Sequence, residues 1–207
     1  KYKVLNEIKL HKAKSSDTTL WNQLRLGDEE AFSSLFERYY STLVNYGKTL
    51  MTGEDRVKDC VQDVFVNIWT YRYKLNEAIV VKAYLLSSVR KRIARLHNRE
   101  HIFSNIKNID SLEFLFDFSI EDRLIADETT AKKVEQLNKS INQLSDRQKE
   151  AIYLRYHQGL SVEQVAEVLN LNYQSTKNLL HRAILQLRKD FPISALFLLL
   201  NFSPNYF

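Results

Sequence analysis

Proline and glycine are scarce in this 207-residue chain, with 2 and 4 copies. That scarcity excludes short-stranded sheet architectures, which depend on many tight turns. There is one cysteine, Cys60, so no intramolecular disulfide can form, and a reducing compartment is expected. Cys60 lies among apolar residues at helical spacing and reads as a small buried hydrophobe rather than a reactive thiol. Long apolar runs are also missing: the stretch from Ile193 to Leu200 is strongly apolar but far too short to span a bilayer. The first residues lack the apolar core of a secretory signal. A cytoplasmic protein without a membrane span is expected. The marks of an enzyme are absent too: no phosphate-cradling glycine loop, no Cys/His set at metal-ligand spacing, no glycine-flanked serine nucleophile. His97, His101, His157 and His181 are scattered along the chain. No catalytic residue, metal or cofactor is expected.

Charge is present, and its placement says more than its total. The net charge is +5 and the pI about 9.1, which suits a polyanionic partner without specifying one. From Ala78 to Arg99 there is no acidic residue, yet Lys82, Arg90, Lys91, Arg92, Arg95 and Arg99 fall there. From Asp110 to Glu128 the balance inverts, with Asp110, Glu113, Asp117, Glu121, Asp122, Asp127 and Glu128 against Arg123. Helical periodicity fades over the same stretch, as in a linker. The expected class is all-α, with two small helical domains joined by an acidic linker. The expected spans are a leader over 1–19, an N-terminal helical bundle over 20–100, a linker over 101–131, a C-terminal helix-turn-helix domain over 132–191 and an apolar tail over 192–207.

In the first module Phe32, Leu35, Phe36, Tyr39, Leu43 and Tyr46 recur at the three-and-four spacing of an amphipathic helix, and Asp28 can cap its start. A second helix buries Val57, Cys60, Val61, Val64, Phe65 and Ile68. Its other side carries Asp55, Asp59 and Asp63 at i, i+4 and i+8, a like-charge stripe that works slightly against its own helix and invites a basic partner. A third helix, Val80 to Leu96, turns Val81, Tyr84, Leu85, Ser88 and Val89 inward and its basic residues outward. Trp69 and Tyr84 read as core.

The second module begins with the stripe Val134, Leu137, Ile141 and Leu144. Ser145 with Gln148 and Ser161 with Gln164 are two capping boxes, and Gly159 sits where a helix should end. Val162, Val165, Ala166 and Leu169 form one apolar face, and Leu169-Asn170-Leu171 supplies a tight turn with Asn170 able to adopt αL. A last helix buries Thr176, Leu179, Leu180, Ala183, Ile184 and Leu187. A short helix, a three-residue turn and a second amphipathic helix make a helix-turn-helix. The outward face is Tyr173, Gln174, Lys177, Asn178, His181 and Arg182, groups that reach base edges and phosphates in a major groove. Asn172 can cap this helix and leave its amides facing a phosphate.

The whole pattern resembles the extracytoplasmic-function sigma factors of bacterial RNA polymerase. LSDRQKEAIYLRYHQGLSVEQVAEVLNLNYQSTKNLLHRAILQLRK is similar to their C-terminal domain, which reads the −35 promoter element. GDEEAFSSLFERYYSTLVNYGKTLMTGEDRVKDCVQDVFVNIW with VVKAYLLSSVRKRIARLHNR is similar to their N-terminal domain, which binds core polymerase and the −10 element. The resemblance implies that Asp55, Asp59, Gln62 and Asp63 contact the β′ coiled coil. It places Tyr71, Tyr73, Asn76, Arg90, Lys91, Arg95 and Arg99 on −10 DNA, which such cations and aromatics hold through phosphates and unstacked bases. It places Asn172, Tyr173, Gln174, Ser175, Lys177, Asn178, His181 and Arg182 on −35 DNA. The implied partners are the polymerase core, through its β and β′ subunits, promoter DNA and an anti-sigma factor, and the linker is expected to thread the polymerase cleft. The chain departs from relatives in carrying Tyr84-Leu85 for Trp-Leu, Lys91 for Asn and Ser175-Thr176 for Thr-Val. The alternative left open by the residues is a stand-alone helix-turn-helix regulator that binds DNA without polymerase.

Overall fold

The computed structural model describes residues 15–100, 112–115 and 128–189, with the side chains of residues 100 and 128–134 excepted. The leader through residue 14, His101, the Val134 side chain, the tail 192–207 and the linker acids Asp110, Asp117, Glu121, Asp122 and Asp127 lie outside the described residues. Among the described residues there are helices and turns and no strand. The chain divides into two compact units between residues 105 and 106, with 49–51 grouped with the second.

The first unit contains α1 (Asp17–Arg25), α2 (Glu29–Leu50), α3 (Glu54–Thr70) and α4 (Val81–Glu100), with a 3-10 turn at Arg72–Lys74 before α4. Ser16 opens α1, its hydroxyl accepting the Thr19 amide at 3.1 Å. This helix therefore starts inside the stretch that the sequence reading leaves as leader. The Asp28 carboxylate accepts the amides of Glu30 and Ala31 at 2.8 and 3.0 Å, so it fills two of the orphan donors at the start of α2. Arg38 and Tyr39 of α2 both reach Asp17 of α1, the arginine at 2.5 Å and the tyrosine by donating its hydroxyl. Burial, reinforced by that carboxylate, pushes the Tyr39 phenol well above its ordinary pKa. Gly47 lets α2 and α3 meet, because a Cβ there would lie 2.5 Å from Val57 Cγ1.

Helix α4 is hemmed in on three sides. Tyr84 stacks edge-on with Trp21 of α1 at 5.2 Å, Ile93 approaches Gly47 of α2, and Arg92 pairs with Asp63 of α3. Val81, Ala83, Leu85, Leu86, Ser87, Val89, Arg90, Ile93 and Ala94 are all buried. The sequence reading turns every basic residue of this helix outward, and for Arg90 the structure corrects it. Arg90 follows Leu86 by four and precedes Ile93 by three, on the interior stripe, and is 3% exposed. A helix covered on three sides buries more of its circumference than a one-sided amphipathic pattern reveals.

The second unit contains α5 (Glu128–Asn142), α6 (Asp146–Ile152) continued by a π-helical turn at Tyr153–His157, α7 (Val162–Leu169) and α8 (Tyr173–Leu187). Both expected capping boxes form: Ser145 and Gln148 open α6, and Ser161 and Gln164 open α7. Gly159, at φ +68°, ends the α6 run. Leu137, Ile141, Leu144, Ile152, Val165, Leu169, Leu180 and Leu187 make the core, each fully buried side chain contributing roughly 1.5–3 kcal/mol.

Candidate nucleic-acid interface

The turn between α7 and α8 is built by three backbone devices. Asn170 takes φ 53° and ψ 48°, a left-handed conformation that Asn tolerates better than most residues. The Leu171 amide then closes back on the Ala166 carbonyl at 2.9 Å. The Asn172 carboxamide oxygen accepts the Ser175 amide at 2.7 Å and starts α8. Inside the crossing, Thr176 is fully buried and donates its hydroxyl to the Asn172 carbonyl at 3.0 Å. Its γ-hydroxyl is thus satisfied at a position whose burial favours an apolar side chain.

All eight residues that the resemblance assigns to −35 DNA are exposed: Asn172, Tyr173, Gln174, Ser175, Lys177, Asn178, His181 and Arg182. Gln174 donates to the Asn178 side chain at 3.0 Å, which orders two amides side by side along the helix. The result is one protruding face of amides, hydroxyl, imidazole and two cations. Its chemistry matches acceptors on base edges and phosphate oxygens.

A second polar face lies on the first unit. Lys91, Arg95 and Arg99 are exposed on α4. Lys91, Arg92 and Arg95 edge a cleft of about 360 Å3 whose floor and walls include Asn67, Ile68, Tyr71, Leu75, Tyr84 and Ser88. The turn beside it is held from behind: Trp21 Nε1 donates to the Asn76 carbonyl at 2.9 Å and Arg25 Nε to the Leu75 carbonyl at 3.0 Å. Asn76 also accepts the Ala78 amide on its own side chain at 3.1 Å, so it shapes the turn locally. Tyr71 and Tyr73 stand out from it, 53% and 71% exposed. The Arg72 guanidinium lies 4.4 Å from the ring centres of both Trp69 and Tyr73, a stacked arrangement that stiffens the exposed aromatic edge. Trp69 and Tyr84 are half-buried, neither wholly core nor free. Arg90 belongs to the interior and not to this face.

The acidic side of α3 divides in two. Asp55, Asp59 and Gln62 are exposed, whereas Asp63 is drawn to Arg92 at 2.5 Å and is already charge-paired within the unit. Beside the stripe lies an apolar groove of about 460 Å3 formed by Phe32, Phe36, Gln62, Phe65 and Val66 with Ser33 and Glu37. Sequence reasoning missed this groove. Its signal was Val66, 61% exposed on the polar side of α3, one turn beyond Gln62. At the helix start, hydrogen bonds from Lys48 and then Lys58 hold the Glu54 carboxyl down to about 2.

An all-α chain whose second unit presents a capped helix-turn-helix, and whose first presents a cationic cleft and an acidic-apolar face, has the surfaces of a DNA-binding transcription initiation factor. Residues 135–187 match the family described as sigma-70, region 4. The chain is 24% identical over 168 residues to the ECF RNA polymerase sigma factor SigX of Bacillus subtilis, covering 78% of this chain and 84% of that one. Its fold is similar to CnrH in complex with the cytosolic domain of CnrY, at TM-score 0.57, 19% identity and coverage of 84% and 96%. It is similar also to the sigma factor RpoE in complex with the anti-sigma factor NepR from Bartonella quintana, at TM-score 0.53, 23% identity and coverage of 76% and 94%. Residues 135–187 thus carry the sigma-70 region 4 match and the curated relatives of the chain include extracytoplasmic-function sigma factors, which together support a sigma factor that directs RNA polymerase to promoters. Among the described residues no helix is long and apolar enough to cross a membrane.

Proposed function

We propose that the two units divide promoter recognition between them, that the acidic-apolar side of α3 docks on core polymerase, and that the protein performs no catalysis. The observation that carries this reading is the solvent-facing array of α8 and its N-cap, eight exposed polar or aromatic residues on an element whose start and crossing are fixed by Asn170, Asn172 and Thr176. We assign α8 to duplex −35 DNA, through Asn172, Tyr173, Gln174, Ser175, Lys177, Asn178, His181 and Arg182. The cleft edged by Lys91 and Arg95, with Tyr71, Tyr73, Asn76 and Arg99 nearby, is assigned to the −10 element. There the cations hold phosphates and the aromatics stack an unpaired base. Asp55, Asp59 and Gln62 with the adjoining groove fit a basic, partly apolar helix of β′, and Asp63 supports this surface through Arg92.

Each unit alone offers little DNA contact area, so the free factor binds DNA weakly; holding both units on polymerase supplies the missing affinity as effective concentration. Sigma factors work where the chromosome is, so a cytoplasmic location follows. An anti-sigma factor is proposed as a further partner, since the RpoE relative is seen with one. Binding to core polymerase tests the docking assignment. Wild-type chain is expected to bind and Asp59→Lys to lose at least tenfold in affinity while keeping its helical circular dichroism. Unchanged affinity in Asp59→Lys contradicts the assignment.

A further inference from the structure

Helix α1 reaches the cleft of the first unit without lining it. Residues 75–80 connect the 3-10 turn to α4 and form no helix, and two side chains of α1 hold them. The Trp21 indole donates to the Asn76 carbonyl at 2.9 Å, and Arg25 Nε donates to the Leu75 carbonyl at 3.0 Å. The two donors lie about one helical turn apart and take consecutive carbonyls. Trp21 is 1% exposed, and its buried N–H finds its partner in that loop carbonyl. Its ring also meets Tyr84 of α4 edge-on, with centres 5.2 Å apart. Leu75 and Tyr84 both line the cleft, so one tryptophan ties together the two elements that carry them. Arg25 is itself oriented by the Asn22 carboxamide oxygen and by Glu77, each at 3.4 Å.

We propose that Trp21 and Arg25 are positioning residues for −10 recognition: they set the loop in place before DNA arrives and do not themselves touch DNA. The inference rests on the assignment of the cleft to the −10 element. A connection outside regular structure is ordered at an entropic cost for every residue it fixes. When binding has to supply that ordering, affinity falls; when the fold supplies it beforehand, affinity is kept. The two carbonyl bonds from α1 shift the ordering of the loop from the binding step to the folding step. Capture of an unpaired strand gains most, because Tyr71, Leu75 and Tyr84 then already stand around the cleft that receives a base. Core docking by α3 and duplex recognition by α8 do not use this loop, and they are left unchanged when it is loosened.

The test uses holoenzyme assembled from the full chain and bacterial core polymerase. The probe is a fluorescent single strand carrying the non-template −10 region of a promoter recovered by factor-dependent transcription. Trp21→Phe keeps an aromatic ring beside Tyr84 but removes the donor, and Arg25→Gln removes the guanidinium. Each is expected to weaken single-strand binding roughly fivefold, the scale of one lost hydrogen bond, with affinity for core polymerase and for −35 duplex unchanged. Arg25→Lys, which keeps the charge and a donor, is expected to bind nearly as wild type does. The slope of log affinity against log salt is expected to stay at its wild-type value, since a lost phosphate contact on a single strand would lower it by about 0.7. Should Trp21→Phe unfold the unit, the Arg25 substitutions carry the test, because that side chain is 26% exposed. A wild-type holoenzyme that does not bind the single strand overturns the −10 assignment and this proposal with it. Wild-type binding that Arg25→Gln matches, or a salt slope lowered in that variant, overturns the proposal alone.

Discussion

Asn170 shows how one residue sets the geometry of α8, the helix proposed to face DNA. Its left-handed conformation, φ 53° and ψ 48°, costs a β-branched residue roughly 1–2 kcal/mol and glycine almost nothing. Asn170→Ile is expected to lower stability by about that amount, and Asn170→Gly to leave it nearly unchanged, as read from urea midpoints. Gly47 makes the same point in the other unit: Gly47→Ala gains about 1 kcal/mol of helix propensity but drives a methyl into Val57. Overpacking typically costs about 1–3 kcal/mol, so the variant is expected to be destabilised, and a raised urea midpoint contradicts the close approach. Asn170 was legible in the sequence because an Asn between two apolar faces is a local signal. Arg90 was not, since its burial depends on the helices that surround α4 rather than on its neighbours in the chain.

Helix ends carry the specificity of element placement. The Ser161–Gln164 box opens α7 with reciprocal bonds of 3.3 and 2.9 Å, and Ser161→Ala is expected to cost about 1 kcal/mol, measurable by thermal denaturation. At the start of α3, Glu54 bonds Lys48 at 2.6 Å and Lys58 at 2.9 Å. Its carboxyl is depressed in the folded chain, so this contribution is fully present above the ordinary carboxylate value near 4.5. It is lost as pH falls through the folded value of about 2. Across that window the Glu54→Gln variant is expected to show a flatter fall in melting temperature than wild type; identical slopes would count against the pairing. Capping boxes, the turn and most apolar stripes were readable because each is a short-range pattern. Two features at this scale were not. Helix α1 hid in an apparent leader, and the groove beside α3 arises only when Phe32 and Phe36 of α2 meet Phe65.

For the molecule as a whole, the all-α class followed from scarce turn residues and three-and-four periodicity, and the ordered pair of domain-like stretches carried the family resemblance. What the sequence could not supply was the burial of Phe114 within an otherwise acidic stretch, because its partners Asp146 and Tyr153 lie more than thirty residues away. The proposed division of promoter contacts has a salt signature. Removing one phosphate-binding cation reduces the slope of log affinity against log salt by about 1. Lys177→Ala and Arg182→Ala are each expected to do so on −35 duplexes when bound with core polymerase, without abolishing transcription. The central claim, that this chain directs polymerase to promoters, is tested most directly by run-off transcription with bacterial core polymerase on genomic fragments. Factor-dependent transcripts sharing an upstream motif, and lost with Asp59→Lys, are the expected result. A chain that never associates with core polymerase yet shifts duplex DNA alone would contradict the claim.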